Sequence, residues 1–241
     1  MDSLNLVDFF TTAVGSQLRR WEATEADALL AHEAGETALQ LGVPYGQVLR
    51  SASHEIKIYG AHANEPCEAV KPSVKLSFDH LPFREASFDL VVCVHAHERV
   101  GEAFFKEVFR VLAPEGRLVV FGINPWGPWW LRKKEKLIDK EEYFSPLSVS
   151  RIKILCSQYG VIDRGRFGLY SPSLNDNPCA LARWGWCEKA GDRWWPALAN
   201  AFMLSAVKRN VSPKAVGKII DKESILSSWQ RAPVASHMSG K

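Results

Sequence analysis

The stretch from Leu81 to Asn124 constrains the fold more than any other part of this chain. Phe88 to Val94 is an almost unbroken apolar run of strand length, and Asp89 is its only charge. A run without polar alternation suits a strand covered on both faces, as in a parallel sheet. Glu102 to Leu112 then places Phe104, Phe105, Val108, Val111 and Leu112 on one helical face. Glu102, Lys106, Glu107 and Arg110 lie away from that stripe. Pro114 and Gly116 stop the helix. Arg117 to Phe121 reads as a second buried strand, closed by Gly122. Strand, helix and strand in this succession make a right-handed βαβ unit.

The remaining chain supplies more elements of the same kind. Residues 7–32 read as helix, with Phe9, Phe10, Val14, Leu18, Ala26, Leu29 and Leu30 among the apolar positions. Thr24, followed by Glu25 and Asp27, offers a cap for a second helix start near Trp21. Strand-like runs fall at 38–43, 55–59, 74–78, 161–170 and 201–207, and Leu49 to Ala52 suggests a short helix. Ser145 to Tyr159 reads as a helix with Pro146 near its first turn. The tryptophan-rich stretch Cys179 to Ala199 reads as a helical insertion before the last strand. Together these predict an α/β fold with a doubly wound, mainly parallel sheet.

At 241 residues the chain is expected to form one domain, residues 1–210, opened by a helical cap at 1–35. A basic C-terminal tail, residues 211–241, would follow. The net charge of +3 is uneven: from Lys208 onward seven basic residues face two acids. Such a tail can meet anionic partners, or be a solvated terminus. The five cysteines form no CxxC pair, which fits a reducing, cytoplasmic compartment. No early apolar run suggests a signal peptide, and no stretch reaches the ~20 apolar residues of a membrane span.

The residues from Leu81–Phe83 through Phe88–Val94 to Gly122–Trp126 resemble the middle of a class I S-adenosylmethionine-dependent methyltransferase of the type 11-like kind. More narrowly, Leu39–Gly42, Leu81–Phe83 and the Gly-x-Asn-Pro-Trp turn at Gly122–Trp126 resemble a bacterial group of uncharacterised methyltransferase-like proteins with a degenerate glycine loop. The resemblance implies a Rossmann-like seven-stranded sheet of order 3-2-1-4-5-7-6, S-adenosylmethionine as cofactor, and an N-terminal helical segment over it. It also implies the cofactor contacts: Gln40, Gly42, Ser77, Asp79, His80 and His95, with His95 the candidate catalytic base. The chain departs from the family pattern at three places. Only Gly42 remains at the strand-one turn, with Val43 and Pro44 after it; no acid ends strand two; and Ser77 stands where an aspartate usually contacts the adenine.

The polar cluster His95, His97, Glu98 and Arg99 follows strand four, at the end where open α/β sheets bind ligands. Imidazole and carboxylate together suit general acid and base work. His95 and His97 would also suit a metal pair, but no further ligand has convincing spacing, and no metal site is read. The alternative is structural: His97 and Glu98 solvate or cap the loop, and His95 is a buried, hydrogen-bonded residue. After strand five, Trp126, Trp129 and Trp130 precede Arg132, Lys133, Lys134 and Lys136. That pattern can stack on and pair with nucleic acid or an anionic headgroup, or simply cover the sheet edge. The functional expectation is methyl transfer from S-adenosylmethionine to an unknown acceptor. The alternative is a catalytically silent binding or scaffold protein on the same fold, with nucleic acid as a partner through the basic tail.

Overall fold

A computed structural model describes residues 9–10, 12–42, 47–63, 73–133, 146–172 and 183–209. The basic tail from 211 onward lies outside the described residues, as do Lys134, Lys136 and Ser145.

Seven strands form one sheet: β1 (Ala34–Gly42), β2 (Ser53–His62), β3 (Val74–Leu76), β4 (Phe88–Val94), β5 (Leu112–Ile123), β6 (Gly160–Gly168) and β7 (Ala201–Lys208). Their order is β3-β2-β1-β4-β5-β7-β6, as the sequence predicts. β3 to β5 run parallel, and β7 is antiparallel to both β5 and β6. The helices are α1 (Ala13–Leu30), α2 (His97–Val100), α3 (Ala103–Val111), α4 (Pro128–Lys133), α5 (Val149–Ser157) and α6 (Gly185–Trp194).

The unalternating run in β4 is explained by burial on both faces. Val91 and Cys93 pack with Phe104, Phe105 and Val108 of α3 and Ile152 of α5. Leu90, Val92 and Val94 turn to the other face, with Ala26, Leu29 and Leu30 of α1. Successive side chains point to opposite sides of a strand, so only a sheet with helices on both faces buries them all. Asp89, the single charge, is spent at the entry of the strand. Its Oδ2 accepts the backbone N–H groups of Glu36 (2.9 Å) and Thr37 (3.1 Å) and pins β1 to β4.

Several boundaries differ from the sequence expectation. α1 is one uninterrupted helix, capped by Thr12, whose Oγ1 accepts the Gly15 N–H at 3.1 Å. Thr24 starts no second helix, because its hydroxyl is satisfied inside the first by donating to the Arg20 carbonyl. The helix expected from Ser145 begins at Val149: Ser148 caps it, accepting the Arg151 N–H, so Pro146 precedes the helix. The short helix near Leu49 is a single 3-10 turn, Val48–Ser51. β5 begins earlier than expected. Phe88 pairs Leu112 but Leu90 pairs Arg117, so residues 113–116 bulge out of the ladder. β6 stops at Gly168, since Leu169 turns to a φ of 64°.

Candidate functional site

The ligand end of a parallel sheet is the end at which its strands finish. Here it is formed by Gly42 of β1, Val94 of β4 and the residues that follow them. Gly42 pairs with Val94 and has a φ of 119°. A Cβ at this position would overlap the Val94 carbonyl oxygen. The position therefore requires glycine for two reasons, backbone conformation and the contact with its neighbouring strand. The sequence marks Gly42 as a place of close backbone approach, and the approach present in the fold is that of β4. Residues 43–46, which continue the turn, lie outside the described residues.

Gln40 is buried on β1, and its Oε1 accepts the Val48 N–H at 3.0 Å. It braces the chain where it returns from the strand-one turn. Ser77, Asp79 and His80 are exposed just past β3. Ser77 Oγ lies 3.2 Å from Asp79 Oδ2 and also accepts the Asp79 N–H at 3.4 Å, a local turn that presents a carboxylate to solvent. These residues follow the carboxyl end of β3, two strands away from Gly42 in the sheet.

His95 has the geometry of the structural alternative. Its φ of 56° swings the chain out of strand alternation, and its side chain is fully buried. Nδ1 lies 2.9 Å from Glu98 Oε2 of α2, and Nε2 lies 2.7 Å from Glu22 Oε1 of α1. Carboxylates only accept, so both ring nitrogens donate, and the ring is an imidazolium. Burial by itself would push its pKa down, but the Glu98 and Glu22 carboxylates outweigh burial and raise it to about 10. Glu98 Oε1 also accepts the Ile123 N–H at 2.6 Å, which ties the cluster to the end of β5.

His97 and Glu98 do not solvate their loop; both are fully buried, because the turn at His95 sends α2 inward. His97 packs near Phe105 (ring centroids 5.9 Å) and Phe202 (6.2 Å), and neither of its nitrogens has a hydrogen-bond partner among the described residues. Burial holds its pKa down at about 4, against the pull of Glu98. His95 and His97 thus serve different neighbours. Among the described residues no group of three or more His, Cys, Asp or Glu side chains is arranged to hold a metal ion.

Three parts of this frame go beyond the sequence reading. Glu22 stands on the buried stripe of α1, four residues from both Leu18 and Ala26; an acid on an apolar stripe is a signal available in the sequence. Glu107 and Arg110 of α3 clasp the Leu81–Phe83 segment. Arg110 donates to the Leu81 and Phe83 carbonyls, both at 2.8 Å, and Glu107 accepts the Leu81 N–H at 3.1 Å. Asn124 and Asn200 join the ends of β5, β6 and β7. Asn124 Nδ2 donates to the carbonyls of Ala197 (2.9 Å) and Ala199 (2.8 Å). Asn200 Nδ2 donates to those of Leu169 (2.6 Å) and Ser171 (2.9 Å). The Gly-x-Asn-Pro-Trp turn is therefore built around the Asn124 side chain.

Residues 39–120, from β1 into β5, match the family model described as the methyltransferase domain. The match spans about a third of the chain. The chain is also 34% identical, over 76 residues, to an uncharacterised protein of Methanocaldococcus jannaschii. The match covers 31% of this chain and 32% of that protein, so it spans about a third of the relative's length. Among solved structures, a chain from the Haloferax volcanii complex of the Trm112 methyltransferase activator with its candidate methyltransferase superposes with a TM-score of 0.58. Its identity is 16%, over 82% of this chain and 94% of that one. An S-adenosylmethionine-dependent methyltransferase of Thermotoga maritima gives 0.53 at 16% identity, over 80% and 96%. The YcgJ protein of Bacillus subtilis gives 0.53 at 15%, over 79% and 99%. These likenesses establish the fold, which is that of the class I S-adenosylmethionine-dependent methyltransferases.

Proposed function

We propose that this protein transfers a methyl group from S-adenosylmethionine to an acceptor bound at the ligand end of the sheet. The observation that carries the reading is the methyltransferase-domain match over residues 39–120, which includes the strand-one turn at Gly42. When bound, S-adenosylmethionine supplies an electrophilic methyl carbon on a sulfonium, which a nucleophilic atom of the acceptor takes as the carbon–sulfur bond breaks to leave a neutral thioether. The protein's part in such a displacement is chiefly positioning. The residues present fit this cofactor: Gly42 carries no side chain at the turn, and Asp79 presents an exposed carboxylate past β3, with Ser77 beside it. Gln40 shapes the turn from beneath, through the Val48 N–H.

His95 acts in this reading as a brace, not as the base. Both its nitrogens are occupied by carboxylates and its ring is sealed from solvent, so the acceptor's proton leaves by another route. A cytoplasmic setting is supported by the free thiols of Cys93, Cys156 and Cys187. Among the described residues no helix is long and apolar enough to cross a membrane.

Isothermal titration of the full chain with S-adenosylmethionine and S-adenosylhomocysteine tests the reading. Saturable binding of both, weakened in Asp79→Ala without a change in melting temperature, is expected. Absence of binding to either would overturn it in favour of a silent scaffold on this fold.

A further inference from the structure

One end of the molecule carries large apolar side chains in the open. Trp126, Leu131, Trp186, Trp194, Trp195 and Leu198 are each between 50% and 68% exposed. Most exposed apolar residues on a protein stand singly, whereas these fall on the turn before α4, on α4, on α6 and on the Trp195–Leu198 stretch that follows it, all at the ends of β5 and β6. The register places Ile123, Ala201 and Gly168 side by side at that edge.

The display is held in place by internal bonds. Asn124 fixes the Trp126 turn against the 197–199 backbone, and its Oδ1 accepts the Trp126 N–H at 3.1 Å. Glu188 anchors α6 by accepting the N–H groups of Leu169 (3.1 Å), Tyr170 (3.0 Å) and Ser171 (3.3 Å). That anchoring turns the Glu188 carboxylate inward and leaves the neighbouring cations outward. Arg183 and Arg193 are exposed, and the Arg193 guanidinium lies over the Trp194 ring at 5.8 Å. In sequence, α4 ends on Arg132 and Lys133.

Indole rings with a polar N–H, flanked by Arg and Lys, match the boundary between headgroup and acyl chain, where the ring is half-buried and the cation meets phosphate. We infer that this tryptophan edge docks on an anionic phospholipid surface, holding the protein peripherally with the ligand end of its sheet beside the bilayer.

Co-sedimentation with vesicles tests this without any methyl donor, so its result is independent of transfer activity. The probes are vesicles of phosphatidylcholine alone and of phosphatidylcholine with about 30% phosphatidylglycerol. The full chain is expected to sediment with the anionic vesicles, with a blue shift of tryptophan emission and release at high salt. Trp186→Ser/Trp194→Ser, which alters only exposed positions, should lower binding at least about tenfold. Arg193→Glu should weaken it on anionic vesicles, and circular dichroism should show both variants folded. No vesicle binding by the wild-type chain would overturn the inference, as would equal binding by the tryptophan variant. Tryptophan-dependent self-association, or retention on single-stranded RNA, in place of vesicle binding would overturn it in favour of a second copy or nucleic acid.

Discussion

The Nε2 of His95 and the Oε1 of Glu22 lie 2.7 Å apart, although 73 positions of sequence separate them. One residue ends the central strand of the sheet and the other rides on the helix laid over it. With Glu98 on the opposite nitrogen, the imidazolium joins α1, β4, α2 and, through the Ile123 N–H, β5. His95 also spends conformational energy, holding a left-handed φ that a residue with a side chain rarely adopts. Paired carboxylates and donated N–H groups offset that cost.

Breaking one partner leaves a buried charge uncompensated, which costs more than the pair contributes. Glu22→Gln and His95→Ala are each expected to lower stability by about 3–5 kcal/mol. Chemical denaturation of the two single variants and the double variant checks this. The double should lose clearly less than the sum of the singles, because the two residues share one interaction. Strict additivity would show that they act independently.

The two buried histidines predict opposite limbs of the stability–pH curve. His95 titrates in the fold at about 10 against an ordinary 6.5. Its contribution is full below 6.5, erodes as the pH rises, and is gone above about 10. His97 titrates at about 4 in the fold. Between 6.5 and 4 the unfolded chain takes up that proton first, so its effect is loss of stability as the pH falls. Denaturation midpoints from pH 4 to 10 should therefore drop at both ends. His97→Phe should flatten the acid limb and His95→Gln the alkaline limb. An acid limb unchanged by His97→Phe would remove that assignment.

Gly42→Ala combines a strained φ with a collision against the Val94 carbonyl. The collision partner is backbone, which cannot step aside as a flexible side chain does. A loss of about 2 kcal/mol or more is expected, the range of the larger single-site effects. The sequence suggests a different balance, in which a side chain at Gly42 blocks the cofactor with little cost in stability. Melting and cofactor titration on the same variant separate the two. An unchanged melting temperature would refute the structural account.

Sequence by itself determined the sheet and its winding. The unalternating apolar run of β4, the one-sided apolar stripe of α3 and the glycine at the strand-one turn are local properties, and neighbours in sequence reveal them. The strand order is the one that the family resemblance of those runs implies. What His95 does was decided by tertiary structure alone. Its position after β4 reads equally as a base facing a ligand and as a buried brace, because the choice depends on Glu22, whose carboxylate arrives from a distant helix. The same holds for the long-range bonds of Arg110 and Asn124, which reach backbone carbonyls of distant segments that no side-chain pattern announces. Hydrogen bonds to backbone leave no compositional trace, and a single buried acid on an apolar stripe leaves only a faint one. Periodicity therefore determined where the strands and helices run, and long-range packing decided which polar groups at their ends stay exposed and which are sealed inside.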